Sequence, residues 1–474
     1  MSRGRLVVHA HFYQPSRIDP FSGRVPVDPS AAPAHDWTER VSADCYRPNA
    51  EIGNLRHVSW DLGPTLAAWM RQGDPVAYRG FVAGDLGHNG MAQPYHHTIL
   101  PLASVADRRT EIRWGLRDFE LRFGRPAAGM WLPEAAVDLA TLRLLADHGV
   151  AHTLLAPWQG VGHHPDSRRP YRVDLGGGRS IIVVLYDAGL SGAVSFEPAA
   201  TNDADRFVRE RLAPRFAEPM PADERPLVVL ATDGELYGHH QAFRELFLQR
   251  LVQARPDGAD HPFEIGSLAE ALREHPGRPF RTIRIAERTS WSCHHGVLRW
   301  SGSCPCADDG GWKSPLRSAL ERLAAGIDAI TERLAAGLPG GPDPWAARDA
   351  YVDVVVGAED PQRFAGRWMG DAGSHANVRL FLDLLEAQRW RLAMFASDAW
   401  FWDDPVRTET MDVLRAAAWA ARRVDGLAGS RLERRLVADL ATFSSPSHGV
   451  DGAAIYRKAL TEVGQPVSVD PEEP

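Results

Sequence analysis

No stretch of the sequence approaches the ~20 consecutive apolar residues that a membrane-spanning helix needs. Cysteine is scarce: four in 474 residues, three of them close together, which excludes a disulfide-built scaffold. There is no excess of basic residues either. Lys and Arg number 53 against 61 Asp and Glu, a formal net charge of −8. That balance argues against nucleic acid or an anionic membrane as the main partner and suits a neutral ligand. Internal repeats and low-complexity tracts are missing. The apolar segment that follows Met1-Ser2-Arg3-Gly4-Arg5 is too short for a signal sequence and runs into polar side chains rather than a cleavage site. The chain is therefore expected to stay in the cytoplasm.

Tryptophan is plentiful, 15 residues against 9 Tyr and 17 Phe. Its flat ring stacks well on the apolar face of a sugar, although core filling accounts for most of the count. The length predicts two or three domains. Up to about residue 305, short apolar runs alternate with amphipathic stretches. Arg5–Phe12, Ala151–Leu155, Ser180–Tyr186 and Leu227–Ala231 read as strands, and Pro64–Arg71, Ala135–His148 and His240–Gln253 as helices. This alternation predicts an α/β fold around a mostly parallel sheet, open or closed. After Trp312 the pattern turns helical throughout, over Leu316–Leu338, Val378–Phe395, Thr408–Val424 and Ser430–Ala441. The expected division is 1–305, a β/α domain; 306–464, a helical domain; and 465–474, a flexible tail.

Breaking a glycosidic bond requires two flanking carboxyl groups, and two segments suit that task. In Gly129-Met130-Trp131-Leu132-Pro133-Glu134 a strand breaks at proline and sets a carboxylate beside an aromatic ring. In the segment from Val228 to His240 an apolar strand enters the turn Thr232-Asp233-Gly234-Glu235, followed by His239 and His240. Reactive side chains collect where parallel strands end. Each acid also has a plainer reading: Glu134 as an acid facing the dipole of the next helix, Asp233 as a turn or cap residue.

Taken in order, five segments resemble glycoside hydrolase family 57, in particular its subgroup with an uncharacterised helical C-terminal domain. His9-Ala10-His11-Phe12-Tyr13-Gln14-Pro15 is similar to the opening motif, with a small insertion. The stretch from Gly87 to Pro101 resembles the second region, and Trp131-Leu132-Pro133-Glu134 the third. Thr232 to His239 resembles the fourth; Ala387-Gln388 and Ser397-Asp398-Ala399-Trp400 resemble the fifth. The resemblance implies a (β/α)7-type distorted barrel, followed by an all-α domain that completes the cleft. It also implies retaining chemistry on α-linked glucan or a related polysaccharide, with no cofactor required. Glu134 is then the nucleophile and Asp233 the acid/base, with Glu235 competing for the second role. His9, His11, Trp131, His239, Asn89 and Asp398 are the expected substrate contacts. Asn89 stands where many family members carry glutamate, which bears on the substrate more than on the fold. Asp61, just before Pro64, is expected to cap the following helix.

Cys293, His295, Cys304 and Cys306 offer a Cys3His set of the kind that structural zinc favours, although Cys-x-Cys is tighter than common finger spacing. The other reading is a group of reduced thiols and a histidine. Two rival functions remain beside the glycosidase or transglycosidase. One is a metal-dependent polysaccharide deacetylase using His9, His11 and an aspartate as ligands. The other is a non-catalytic glucan-binding protein. The expected partner in every case is an oligo- or polysaccharide; the sequence sets no oligomeric state.

Overall fold

The computed structural model describes residues 4–162, 165–221, 224–253, 263–275, 279–370 and 374–466. Residues 467–474, most of the expected tail, lie outside this set. The chain forms two compact units. The first comprises Met1–Gln14, Asp28–Pro94 and Phe119–Ser292; the second comprises Pro15–Val27, Tyr95–Asp118 and Cys293–Pro474.

The first unit holds strands β1 (Gly4–Phe12), β2 (Ser59–Leu62), β3 (Gly90–Met91), β4 (His152–Leu155), β5 (Gly160–Val161), β6 (Pro170–Gly176), β7 (Arg179–Leu185), β8 (Leu227–Asp233) and β9 (Phe263–Ile265). Parallel pairing runs β3–β2–β1–β8, with His11 opposite both Asp61 and Asp233. The staves continue beyond β3. Trp131 donates its N–H to Ala92 O at 2.8 Å, and Met130 donates to His152 O at 3.2 Å, which leads into β4 and then parallel β7. Asp187, just past β7, donates to Val229 O of β8 at 2.7 Å and brings the circuit back to its start. The staves are thus β8, β1, β2, β3, residues 129–131, β4 and β7, the distorted (β/α)7-type barrel that the motifs implied.

Strand parity explains what faces inward. Successive side chains point to opposite faces, and a parallel sheet covered on both sides needs apolar residues on each. Leu6, Val8, Ala10 and Phe12 join one buried cluster with Val228, Leu230, Trp60 and Leu62. Val7 joins a second with Leu227, Val229, Ala231, Met91 and Trp131. His9 and His11 share the parity of Val7, as Asp61 and Asp233 share that of their own strands' inner residues. The polar side chains therefore project into the barrel because every second position does.

The second unit is helical, with Lys313–Ala336, His375–Ala393, Thr408–Ala428, Leu432–Leu440 and Gly452–Thr461 among its helices. Thr408–Ala428 buries Ala416, Ala417, Ala418, Ala420 and Ala421, small side chains that let neighbouring helices approach closely. Among the described residues, no helix is long and apolar enough to cross a membrane.

Candidate active site

The stave at 129–131 ends in Leu132-Pro133, and proline cannot extend the ladder. Glu134 then adopts a left-handed backbone, φ 56° and ψ 23°, followed by Ala135 at φ 45°. Non-glycine residues held in that region cost ~1–3 kcal/mol each and collect at functional sites. Glu134 sits in the single 3-10 turn Pro133–Ala135, and the next α-helix starts only at Leu139, with Asp138 as its cap, so Glu134 does not face that helix's N-terminus. Its backbone O accepts from Trp291 N at 2.9 Å. Its Oε2 accepts from the Ser292 hydroxyl at 2.6 Å and from the Trp291 indole at 3.2 Å. Burial raises the Glu134 carboxyl above its ordinary value; the Ser292 bond works against that shift, and the charge of Asp233 adds to it.

Asp233 closes β8 and makes no capping hydrogen bond to the short turn that follows. Solvent reaches it, yet the surrounding protein strips enough water to raise its carboxyl, while the charges of His11 and His240 oppose the rise. Glu235, one turn on, is buried and accepts from Tyr46 Oη at 2.6 Å. Burial, and then the nearby Asp233, push its pKa up to about 7.

Asp61 is the residue that sequence reasoning misplaced. The helix after it begins at Pro64 with Gly63 as a cap that makes no side-chain bond, so Asp61 caps nothing. Instead it is fully buried inside the barrel. Its Oδ1 accepts from His9 Nε2 at 2.8 Å and its Oδ2 from His11 Nδ1 at 2.7 Å; Gln93 Nε2 also reaches Oδ2. Burial works against a charged His11, but Asp61 outweighs it, with Asp233 and Glu235 adding to the effect, and the pKa rises to about 9. The same pair holds Asp61 below the usual carboxylate range despite its burial. An imidazolium thus stands among three acids. The available signal was the parity of His9 and His11, which demands a buried acceptor on the neighbouring strand.

Other expected contacts fall elsewhere. Trp131 is fully buried, stacked on His9 and His11 at 5.0 and 5.1 Å, so it supports the histidines and offers no open face to a sugar. Asn89 precedes β3, at the end of the strand away from the acids. Its Nδ2 donates to Val58 O at 2.8 Å and Arg56 O at 3.2 Å, so its amide braces a loop instead of meeting substrate. His239 pairs with Asp44 at 3.0 Å, and it is His240 whose charge acts on Asp233. Asp398 lies in the second unit, in the turn Ser397–Trp400, next to the Ser397 hydroxyl that meets His97 Nδ1 at 2.7 Å. Gln388 is committed to Arg348 at 3.0 Å and Asp328 at 2.9 Å. Trp158 and Tyr186 escaped the sequence reading and join Trp291, a weaker candidate from sequence, in an aromatic wall: Trp158, partly exposed, meets Tyr186 edge-on at 6.2 Å, and Tyr186 meets Trp291 at 6.3 Å.

One group of potential metal ligands gathers among the described residues, and it lies in the second unit: Cys293, His295, Cys304 and Cys306, with donor atoms all within 4.8 Å of one another. His9 and His11 gather around Asp61 instead, and both ring nitrogens of His9 are already engaged, with Asp61 and with Ser59 at 3.2 Å.

Residues 90–284 match the family model for glycosyl hydrolase family 57, and residues 310–468 match a domain of unknown function, DUF3536. Glu134 and Asp233 fall inside the first match. No curated protein sequence matches the chain. Among solved structures, an exo-type maltose-forming amylase from Pyrococcus sp. ST04 aligns over 96% of this chain and 88% of its own, with a TM-score of 0.74 at 17% identity. A branching enzyme from Pyrococcus horikoshii aligns over 97% and 94%, at TM-score 0.59 and 15% identity. The α-amylase AmyC from Thermotoga maritima aligns over 96% and 99%, at TM-score 0.60 and 12% identity. At such identities the likeness establishes a common fold.

Proposed function

We propose that this chain, which belongs to glycosyl hydrolase family 57 and carries a DUF3536 domain, cleaves or transfers α-linked glucans through a glycosyl-enzyme intermediate. The observation that carries the reading is the pairing of Glu134 and Asp233. They come from the ends of two staves, each sensitive to the charge of His11, with Asp233 acting on Glu134. The relatives add support: the solved structures of this fold include an amylase and a branching enzyme.

Ser292 and Trp291 hold Oε2 of Glu134 and leave Oε1 to attack the anomeric carbon. A carboxylate raised by burial is a stronger nucleophile once it is ionised, and two donors on one oxygen fix its aim. Asp233, also raised by burial, gives its proton to the leaving oxygen and takes one back from water or an incoming sugar hydroxyl. His11 lies among the acids as a cation and limits how far Asp233 rises. Trp158, Tyr186 and Trp291 form the wall on which a sugar ring stacks. The chemistry needs no cofactor. The four cysteines, none of them in a disulfide, suit a reducing compartment, and the cytoplasm is the proposed location.

The decisive experiment is incubation of the wild type and Glu134→Gln with a panel of α-glucans, followed by product analysis. The wild type shortens or rearranges at least one glucan, and the folded variant loses turnover by ~10³-fold or more, about 4 kcal/mol of transition-state stabilisation. A variant with wild-type turnover removes Glu134 from the role.

A further inference from the structure

We infer that Cys293, His295, Cys304 and Cys306 bind one zinc ion, and that this knot anchors the segment carrying Trp291 and Ser292. The second half rests on the function proposed above; the first does not.

Two tight turns supply the ligands. Gly296 N–H donates to Cys293 O at 3.0 Å, closing a turn that presents Cys293 and His295; Gly296 has φ +72°, which a side chain would resist. Ala307 N–H donates to Cys304 O at 2.9 Å, closing the turn that presents Cys304 and Cys306. The sulfurs stand 3.4 Å (Cys293 to Cys304), 3.3 Å (Cys293 to Cys306) and 3.0 Å (Cys304 to Cys306) apart. His295 Nδ1 lies 3.3 Å from Cys306 Sγ, 3.4 Å from Cys304 Sγ and 4.0 Å from Cys293 Sγ. None of the three cysteines is in a disulfide. A tetrahedral site with Zn–S of ~2.3 Å has S···S edges of ~3.7 Å, so these edges need to open by ~0.3 to ~0.7 Å to admit the ion.

Charge supplies an independent argument. Lys313 is fully buried, and its Nζ has no hydrogen-bond partner among the described residues. Burying a cation is costly unless an anion answers it. Asp403, Cys304 and Cys293 lie near enough to Lys313 for their charge to favour its cationic form, against Arg299, which also lies beside Cys306. Three thiolates around Zn²⁺ carry a net charge of −1, and two cations beside them fit that anion.

The knot has a consequence for the acids. Cys293 follows Ser292 directly in the chain, and Ser292 and Trp291 donate to Glu134 Oε2. Fixing Cys293 therefore restricts the backbone that positions these two donors; Trp291 and Ser292 act as positioning residues for the nucleophile.

The test uses the full chain, purified without added metal and without a histidine tag. Elemental analysis should find close to one zinc per chain in the wild type and in Glu134→Gln, and a loss of most of it in Cys304→Ser and Cys306→Ser. Should a serine variant fail to fold, stripping the wild type with a chelator and titrating with Co²⁺ gives a second readout. One equivalent should produce the visible bands and thiolate charge-transfer absorption of a tetrahedral sulfur site. Substoichiometric zinc with no such Co²⁺ spectrum overturns the site. For the anchoring, stripped protein should lose ~10–100-fold in kcat on its glucan with little change in KM, and Zn²⁺ should restore it. Full activity without metal overturns the anchoring alone. Stoichiometric zinc in a chain inactive on every glucan would instead sink the proposed function and leave the site standing.

Discussion

His11 Nδ1 lies 2.7 Å from Asp61 Oδ2, and the two meet only because β1 and β2 pair in parallel with these residues opposite one another. The acid holds the ring charged well above its ordinary range, with a pKa of about 9 against 6.5. A raised pKa gives stability that is fully present below the unfolded value and lost as pH rises through the folded one. Asp61→Asn should therefore lower Tm most near pH 6, with the gap to wild type narrowing as pH passes 6.5 and levelling off above about 9, where the bonds to His9 and Gln93 remain. Thermal unfolding of both proteins from pH 6 to 10 measures this. A constant gap across that range contradicts a charged His11.

Glu235 makes a prediction of the same kind from the opposite charge. Its carboxyl is raised from 4.5 to about 7, so its protonated form is favoured in the fold. That stability is present below pH 4.5 and lost as pH climbs through 7. Glu235→Gln keeps an acceptor for Tyr46 and never ionises, so its Tm relative to wild type should climb between pH 5 and 8. Parallel Tm curves would show that Glu235 ionises as it does in water.

Ser292 contributes one charge-assisted hydrogen bond to the nucleophile, a bond of a class worth ~1.5–3 kcal/mol. Ser292→Ala should cut kcat on the preferred glucan by ~10–100-fold with KM nearly unchanged, and Ser292→Thr should recover part of the loss. Equal kcat values for wild type and Ser292→Ala would remove this bond from the catalytic account.

Much of the site was legible in sequence because strand ends carry it. The run Leu6-Val7-Val8 has the apolar character of a strand covered on both faces, and the acids follow such runs directly. Asp61 was not legible, because a lone aspartate three residues before Pro64 resembles a cap. Its true partners lie some 50 residues away and are set by strand register. Asn89 misled for a related reason: the motif gives its position in the chain, but only the direction of β3 shows that it sits at the end away from the acids. Strand β6 passed unnoticed although buried Tyr171, Val173 and Leu175 alternate with exposed Arg172 and Asp174, because it has no continuous apolar run like those of the central strands; helix Val105–Phe123 was missed because charged residues crowd its sequence. Trp158 carried no signal beyond being one of many tryptophans.

The central claim, that Glu134 forms a covalent bond to the sugar, is open to direct trapping. Asp233→Asn mixed with an α-maltosyl fluoride should complete the first step, since fluoride leaves without a proton, and stall at the second. Mass spectrometry of the quenched and digested protein is expected to find one maltosyl group, on the peptide containing Glu134. Steady turnover with no adduct, or an adduct on any other carboxylate, would contradict the account.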